Sequence, residues 1–220
     1  MIHVKIEFWL DFLCPKCYIQ HKNIVNLLQT YEIHNLELIY RNYEMVDDDQ
    51  MDPSMTHAEF IASYRHLPLQ AVEALLKEYN LDIKLFRIHD VHRMSHLAKR
   101  AKKQLLFIDM VFKAIYEDGL DLSNHDTLKK ISLEAGLLEA DIDRVLTTDL
   151  YHSQVLSNKE NAQLKRIFEL PTLRINGKLK LQGLQSEQSI IEGLNKTLIG
   201  IDPNEFCEGE HCIRKRRNPS

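Results

Sequence analysis

Apolar and polar positions change their period several times along this 220-residue chain, and the changes divide it into elements. From His3 to Leu10, Val4, Ile6 and Phe8 fall on one face and Trp9 on the other, and the apolar run continues into Leu13. That pattern predicts a strand buried on both sides. From Tyr18 to Tyr31, Ile19, Ile24, Val25, Leu27 and Leu28 recur at helical spacing. Pro15 suits the first turn of that helix, where its missing amide hydrogen costs nothing. Cys14-Pro15-Lys16-Cys17 therefore sits at a strand-to-helix junction. Leu36 to Tyr43 alternates as a second strand, and Asp47-Asp48-Asp49 with Pro53 marks the loop after it.

Between about Thr56 and Leu150 the period is helical throughout, with helices expected over His57–Tyr64, Leu69–Tyr79, His92–Glu117, Asp126–Ala135 and Glu139–Thr147. Gly119 and Gly136 read as C-terminal stops, and Ser123 or Asn124 as the start before Asp126. One more helix runs from Tyr151 to Phe168. Leu170-Pro171 then introduces two alternating runs, Thr172–Ile175 and Lys178–Gly183, joined by Asn176-Gly177. Asn-Gly is the strongest short hairpin signal, because a type I′ turn needs positive φ at both central positions. Glu187 to Leu198 reads as a final helix and Cys207 to Ser220 as a polar tail. The order predicts an α/β thioredoxin-like fold with an inserted all-helical domain. The thioredoxin-like part would take residues 1–52 and 151–200, the insertion 53–150 and the tail 201–220.

Composition narrows the function. Net charge is −4, which leaves no basic footprint for nucleic acid. Apolar stretches such as Leu105–Phe112 are broken by acids like Asp109 and fall short of the roughly 20 residues of a membrane span. The N-terminal pattern lacks the basic, apolar, small-residue order of a secretory signal, so a cytoplasmic setting is expected. Seven Gly and six Pro argue against a turn-rich all-β fold. The four Cys form two close pairs, and in a cytosolic protein such pairs favour redox or metal chemistry over structural bridges.

At a helix start, unpaired amides and the helix dipole stabilise an anion, and Lys16 adds a cation, so Cys14 is expected to be the attacking thiolate. Cys17, one turn further on the same side, is within reach to resolve a mixed disulfide. Half a zinc site and a pair of inert thiols have the same spacing. Pro171 before the hairpin sharpens the redox reading, since thioredoxin folds place a cis-proline there, beside the active-site Cys, leaving the Leu170 backbone free to pair with an extended peptide.

Four segments together resemble the DsbA family, specifically its FrnE-like cytoplasmic branch. They are Phe12-Leu13-Cys14-Pro15-Lys16-Cys17-Tyr18-Ile19, Asp90-Val91-His92-Arg93-Met94 with His96-Leu97-Ala98, Glu117-Asp118-Gly119 with Ile131 to Leu137, and Leu170-Pro171-Thr172-Leu173-Arg174-Ile175-Asn176-Gly177 to Gly183. The match runs in order over about residues 4 to 198. It implies thiol-disulfide oxidoreductase activity through Cys14 and Cys17. Pro15, Lys16, Leu170, Pro171, His92 and Arg93 would line the active site. Lys16, Gln20 and Leu170 stand where relatives usually carry Trp, Gly, and Val or Thr.

Other clusters are more open. His89, His92 and His96 share one helical face, as a three-His metal site or as a solvated or site-lining face. Asp11 is a proton acceptor or a simple turn residue. Cys207 and Cys212, with His211 between them, form an auxiliary redox pair, a zinc clamp or a passive tail, and Arg214 to Arg217 a solvated basic end. The leading expectation is an enzyme exchanging disulfides with protein or small-molecule thiols, with no cofactor, no metal, and no nucleic-acid or membrane partner. The alternatives are a glutathione-dependent isomerase or transferase of the hydroxychromene-carboxylate isomerase or kappa-class type, which generally acts through a Ser at the position of Cys14, and a zinc-binding protein using all four Cys.

Overall fold

The computed structural model describes residues 4–31, 36–46, 51–52, 54–199, 205–208 and 213–216. Four strands form a mixed sheet in the order β2-β1-β3-β4: β1 (Val4–Leu10), β2 (Leu36–Asn42), β3 (Thr172–Ile175) and β4 (Leu179–Gln182). β1 runs parallel to β2 and antiparallel to β3, with Phe8 opposite Tyr40 on one side and Leu173 on the other. Buried on both faces, β1 carries the apolar run its sequence shows. Its one acid, Glu7, is bracketed by Arg41 at 2.9 Å and Arg174 at 3.1 Å from the two neighbouring strands. Burial alone would raise the Glu7 carboxyl, but the Arg41 hydrogen bond and charge, with Lys165 and Arg174, hold it below its ordinary value.

The two faces of the sheet are covered by different helices. Tyr40 is hydrogen-bonded at 2.9 Å to His21 of α1 (Pro15–Thr30), which places α1 over the Phe8 and Tyr40 face. On the opposite face the Lys165 ammonium lies 5.5 Å from the Trp9 ring, just beyond the end of α8 (His152–Leu164). The hairpin turn has φ of 51° at Asn176 and 68° at Gly177, the conformation that Asn-Gly supplies. Against that hairpin packs α9 (Glu187–Ile199), where Gly193 sits so close that a Cβ would come 2.8 Å from Ile175.

Between β2 and α8 lie α2 (His57–Arg65), α3 (Leu69–Glu78), α4 (His89–Arg100), α5 (Gln104–Tyr116), α6 (His125–Glu134) and α7 (Glu139–Thr147). A capping box, Thr56 with Glu59, starts α2. The single helix expected from His92 to Glu117 is two helices that meet at Ala101–Lys103, where Lys102 takes φ 59° and the Lys103 amide donates back to the Ala98 carbonyl. Lysine carries no signature for that left-handed turn, so the apolar period alone runs through it. The expected helix to Phe168 stops at Leu164. The acidic loop 47–50 and Pro53 lie outside the described residues. Where a polar tail was expected, β5 (Glu205–Glu208) and β6 (Ile213–Arg216) form an antiparallel pair with Glu205 opposite Arg216. Among the described residues no helix is long and apolar enough to cross a membrane.

Candidate active site

Cys14 is the N-cap of α1 and makes no side-chain cap hydrogen bond. Its own carbonyl accepts from the Cys17 amide at 2.9 Å, which starts the helix and holds the two cysteines one turn apart. Both are free thiols. Cys17 is fully buried and hydrogen-bonded to Cys14; burial first, then that hydrogen bond and the nearby Cys14 charge, push its thiol well above its ordinary value. Cys14 is only 6% exposed and does not face bulk solvent. It opens instead onto a cavity of about 210 Å³.

Two parts of the chain build that cavity. From the sheet side come Pro15, Lys16, Met45 and Leu170 with Cys14, and Leu170-Pro171 is a cis bond. The insertion supplies the facing wall through Ile61 and Arg65 of α2, Leu67 after it, and Val72 and Leu75 of α3. Lys16 and Leu170 thus sit together at the cavity, from sequence positions far apart.

Behind the cysteines the polypeptide is gripped by polar groups. Asp11 is buried, and its two carboxylate oxygens each accept a backbone amide at 2.6 Å, one from Leu13 and one from Met45. It is therefore a turn residue that ties the segment before Cys14 to the loop after β2. His57 lies with Nε2 at 2.7 Å from the Leu13 carbonyl and donates to it, and burial pulls its pKa down to about 4 against the help of that hydrogen bond. The Tyr116 hydroxyl donates to the Phe12 carbonyl at 3.1 Å, and its ring stacks on Tyr18 at 4.6 Å. Burial first, then the charges of Cys14 and Cys17, push the Tyr116 phenol well up. Neither His57 nor Tyr116 stood out in the sequence; the Thr56 and Glu59 capping box marks the start of the helix that carries His57, but not its inward direction.

The remaining expected residues separate. His92 is buried behind the active-site turn, with Nε2 3.6 Å from Asp11 and its ring 5.0 Å from Phe12, and it does not line the cavity. Arg93, which the resemblance puts in the active-site lining, points away. It pairs with Asp90 at 2.6 Å and donates to the carbonyls of Val145, Thr148 and Leu150, because the end of α7 leaves carbonyls that only a long cation can reach. The three histidines of α4 likewise diverge: His89 meets Glu44 at 2.8 Å and His152 at 2.9 Å, His96 meets Asn158 at 3.2 Å, and His92 faces inward. Among the described residues no group of three His, Cys, Asp or Glu is placed to hold a metal ion. Cys212 and His211 lie outside the described residues, as does the side chain of Cys207.

Comparison with solved structures fits this geometry. The chain is similar in fold to a probable DsbA oxidoreductase from Streptomyces coelicolor, with TM-score 0.75 at 18% identity over 96% of this chain and 99% of that one. A proposed protein disulfide isomerase from Nitrosomonas europaea gives 0.70 at 16% identity, covering 90% and 99%. A 2-hydroxychromene-2-carboxylate isomerase gives 0.67 at 15% identity, covering 89% and 96%. No curated protein matches the sequence. The family model of the DSBA-like thioredoxin domain matches residues 5–194, nearly all of the sheet and the insertion, and the chain belongs to that family.

Proposed function

We propose that the protein is a thiol-disulfide oxidoreductase of the FrnE-like type that exchanges disulfides with protein or small-molecule thiols through Cys14 and Cys17. The carrying observation is the asymmetry of the pair. Cys14 faces a cavity, whereas Cys17 is sealed behind it in hydrogen-bonding contact. In the direction that reduces a substrate, the Cys14 thiolate attacks one sulfur of the disulfide and the other sulfur leaves as a thiolate. Cys17 then loses its proton and attacks the Cys14 sulfur, forming the Cys14–Cys17 disulfide and releasing the second substrate thiolate. Two electrons pass from the cysteine pair to the substrate. Burial and the neighbouring Cys14 charge both favour the protonated Cys17 thiol, and the charge component is removed once Cys14 is in the mixed disulfide.

The fold is also that of glutathione-dependent isomerases, but those generally use Ser where Cys14 stands and have no need of Cys17. The decisive experiment is trapping with a model disulfide, read by mass spectrometry. Cys17→Ser accumulates a mixed disulfide on Cys14, and Cys14→Ser is inactive. Equal trapping by both variants, or full activity of Cys14→Ser, overturns the assignment.

A further inference from the structure

The cavity beside Cys14 has a one-sided chemistry. Its uncharged lining is apolar, and the only charges among the described residues that line it are two cations, Lys16 and Arg65. Lys16 adjoins the reacting sulfur in sequence. Arg65 ends α2 on the opposite wall, and only 18% of its side chain is exposed. Its acidic neighbour is Glu169, which immediately precedes Leu170, is 44% exposed and stands at 3.9 Å from the guanidinium. That distance is the outer edge of an ion pair and beyond a hydrogen bond. The pair leaves the planar fork of Arg65 able to take a better-placed carboxylate, and a half-desolvated guanidinium binds one more strongly than a solvated one does.

Size limits the guest. A cavity of about 210 Å³ is somewhat larger than the roughly 150 Å³ that holds a benzene ring, enough for one ring or branched side chain and too small for a folded surface. With Cys14 only 6% exposed, the sulfur is reached by a group that enters the cavity. Resting on the exchange reading above, we propose that Arg65 is a specificity-determining residue, and that the favoured oxidant of the reduced pair is a small organic disulfide carrying an apolar group and a carboxylate. The apolar group fills the space between α2, α3 and Leu170. The carboxylate displaces Glu169 from Arg65, and the disulfide lies against Cys14. Cys14 forms the new S–S bond as the first carboxylate-bearing thiolate departs, and Cys17 closes the enzyme disulfide as the second departs.

The test uses the full chain, reduced and freed of reductant, with two aromatic disulfides of different charge. Dithiobis(nitrobenzoate) is anionic and dithiodipyridine neutral. The quantity read is the ratio of their rate constants, anionic over neutral, so that differences in leaving group and in thiolate reactivity cancel between variants. Arg65→Gln is expected to lower that ratio about tenfold, the scale of one hydrogen bond to a charged group. Arg65→Lys falls between, since an ammonium keeps the charge but not the fork. Glu169→Gln raises the ratio by removing the competitor. Lys77→Gln, an exposed charge on α3 outside the cavity lining, controls for long-range attraction and leaves it unchanged. A ratio unmoved by Arg65→Gln, or lowered as much by Lys77→Gln, overturns the proposal. Should Arg65→Gln fail to fold, an unmoved ratio in both Arg65→Lys and Glu169→Gln overturns it equally. Absence of Cys14-dependent reaction with either disulfide in the unaltered protein instead overturns the exchange reading itself.

Discussion

Two of the insertion's contacts with the active site differ in kind. Helix α5 buries Phe107, Ile108, Val111, Phe112, Ala114, Ile115 and Tyr116, and it reaches the turn before Cys14 from behind, through the Tyr116 hydroxyl and the Phe112 ring 5.5 Å from Phe12. Helix α3 buries one side chain, Val72, and lends half-buried Leu75 to a cavity in front of Cys14. The rear contact is part of the core. The front contact is a wall that can change shape or chemistry at little cost to the fold. On the exchange reading proposed above, reactivity is held by the stable side and selection by the thinly anchored one.

The sharpest way to break that contrast is a truncation of the rear contact. Phe112→Ala is expected to cost about 3 to 5 kcal/mol in urea unfolding, the range for a fully buried aromatic. A loss under about 1 kcal/mol there would erase the distinction between rear and front. Acid comes next. His57 on α2 and His96 on α4 both have native pKa values lowered to about 4, chiefly by burial. At pH 7 both are neutral folded or unfolded, and neither affects stability. Below about 6.5 the unfolded chain takes up protons that the native state refuses, so stability falls as pH drops from 6.5 to 4, by about 3 kcal/mol for each histidine. Unfolding measured across that window should show the loss, and His57→Gln should remove about half of it while keeping a donor for the Leu13 carbonyl. A slope untouched by that substitution would free α2 from the role given to it.

Smaller effects sharpen the picture. Tyr116→Phe deletes one buried hydrogen bond to the Phe12 carbonyl, an expected loss of about 1 to 2 kcal/mol, and should slow disulfide exchange for every substrate alike. Leu75→Ala, half-buried on the cavity wall, should cost less than about 1 kcal/mol while changing the relative rates of bulky and slim disulfides. Uniform slowing by Leu75→Ala would show that the front wall supports the cysteines rather than choosing their substrate.

What the sequence disclosed follows the same division. The strand, the Cys14 to Cys17 junction and the Asn176-Gly177 hairpin are local patterns in which a few adjacent residues determine the backbone, and they were legible. The cavity was not. Ile61, Val72 and Leu75 read only as helical periodicity, and nothing local says that α2 and α3 lean over α1. Arg93 shows the converse, since the family resemblance placed it at the active site while unsatisfied carbonyls at the end of α7, some 50 residues away, drew it elsewhere.

The sheet imposes an order of events on making the enzyme. β1 and Asn176 are joined by a hydrogen bond between positions 171 residues apart, so the strand that leads into Cys14 gains its second neighbour only after the whole insertion has been synthesised. Until then one edge of β1 is open, and Leu170 has not arrived beside the cysteines. A chain ending before Leu170 lacks one wall of that cavity, although the other lining residues, from Cys14 to Leu75, are already made. The last wall of the proposed site is added when the β3–β4 hairpin closes the long loop in sequence that makes such topologies slow to fold.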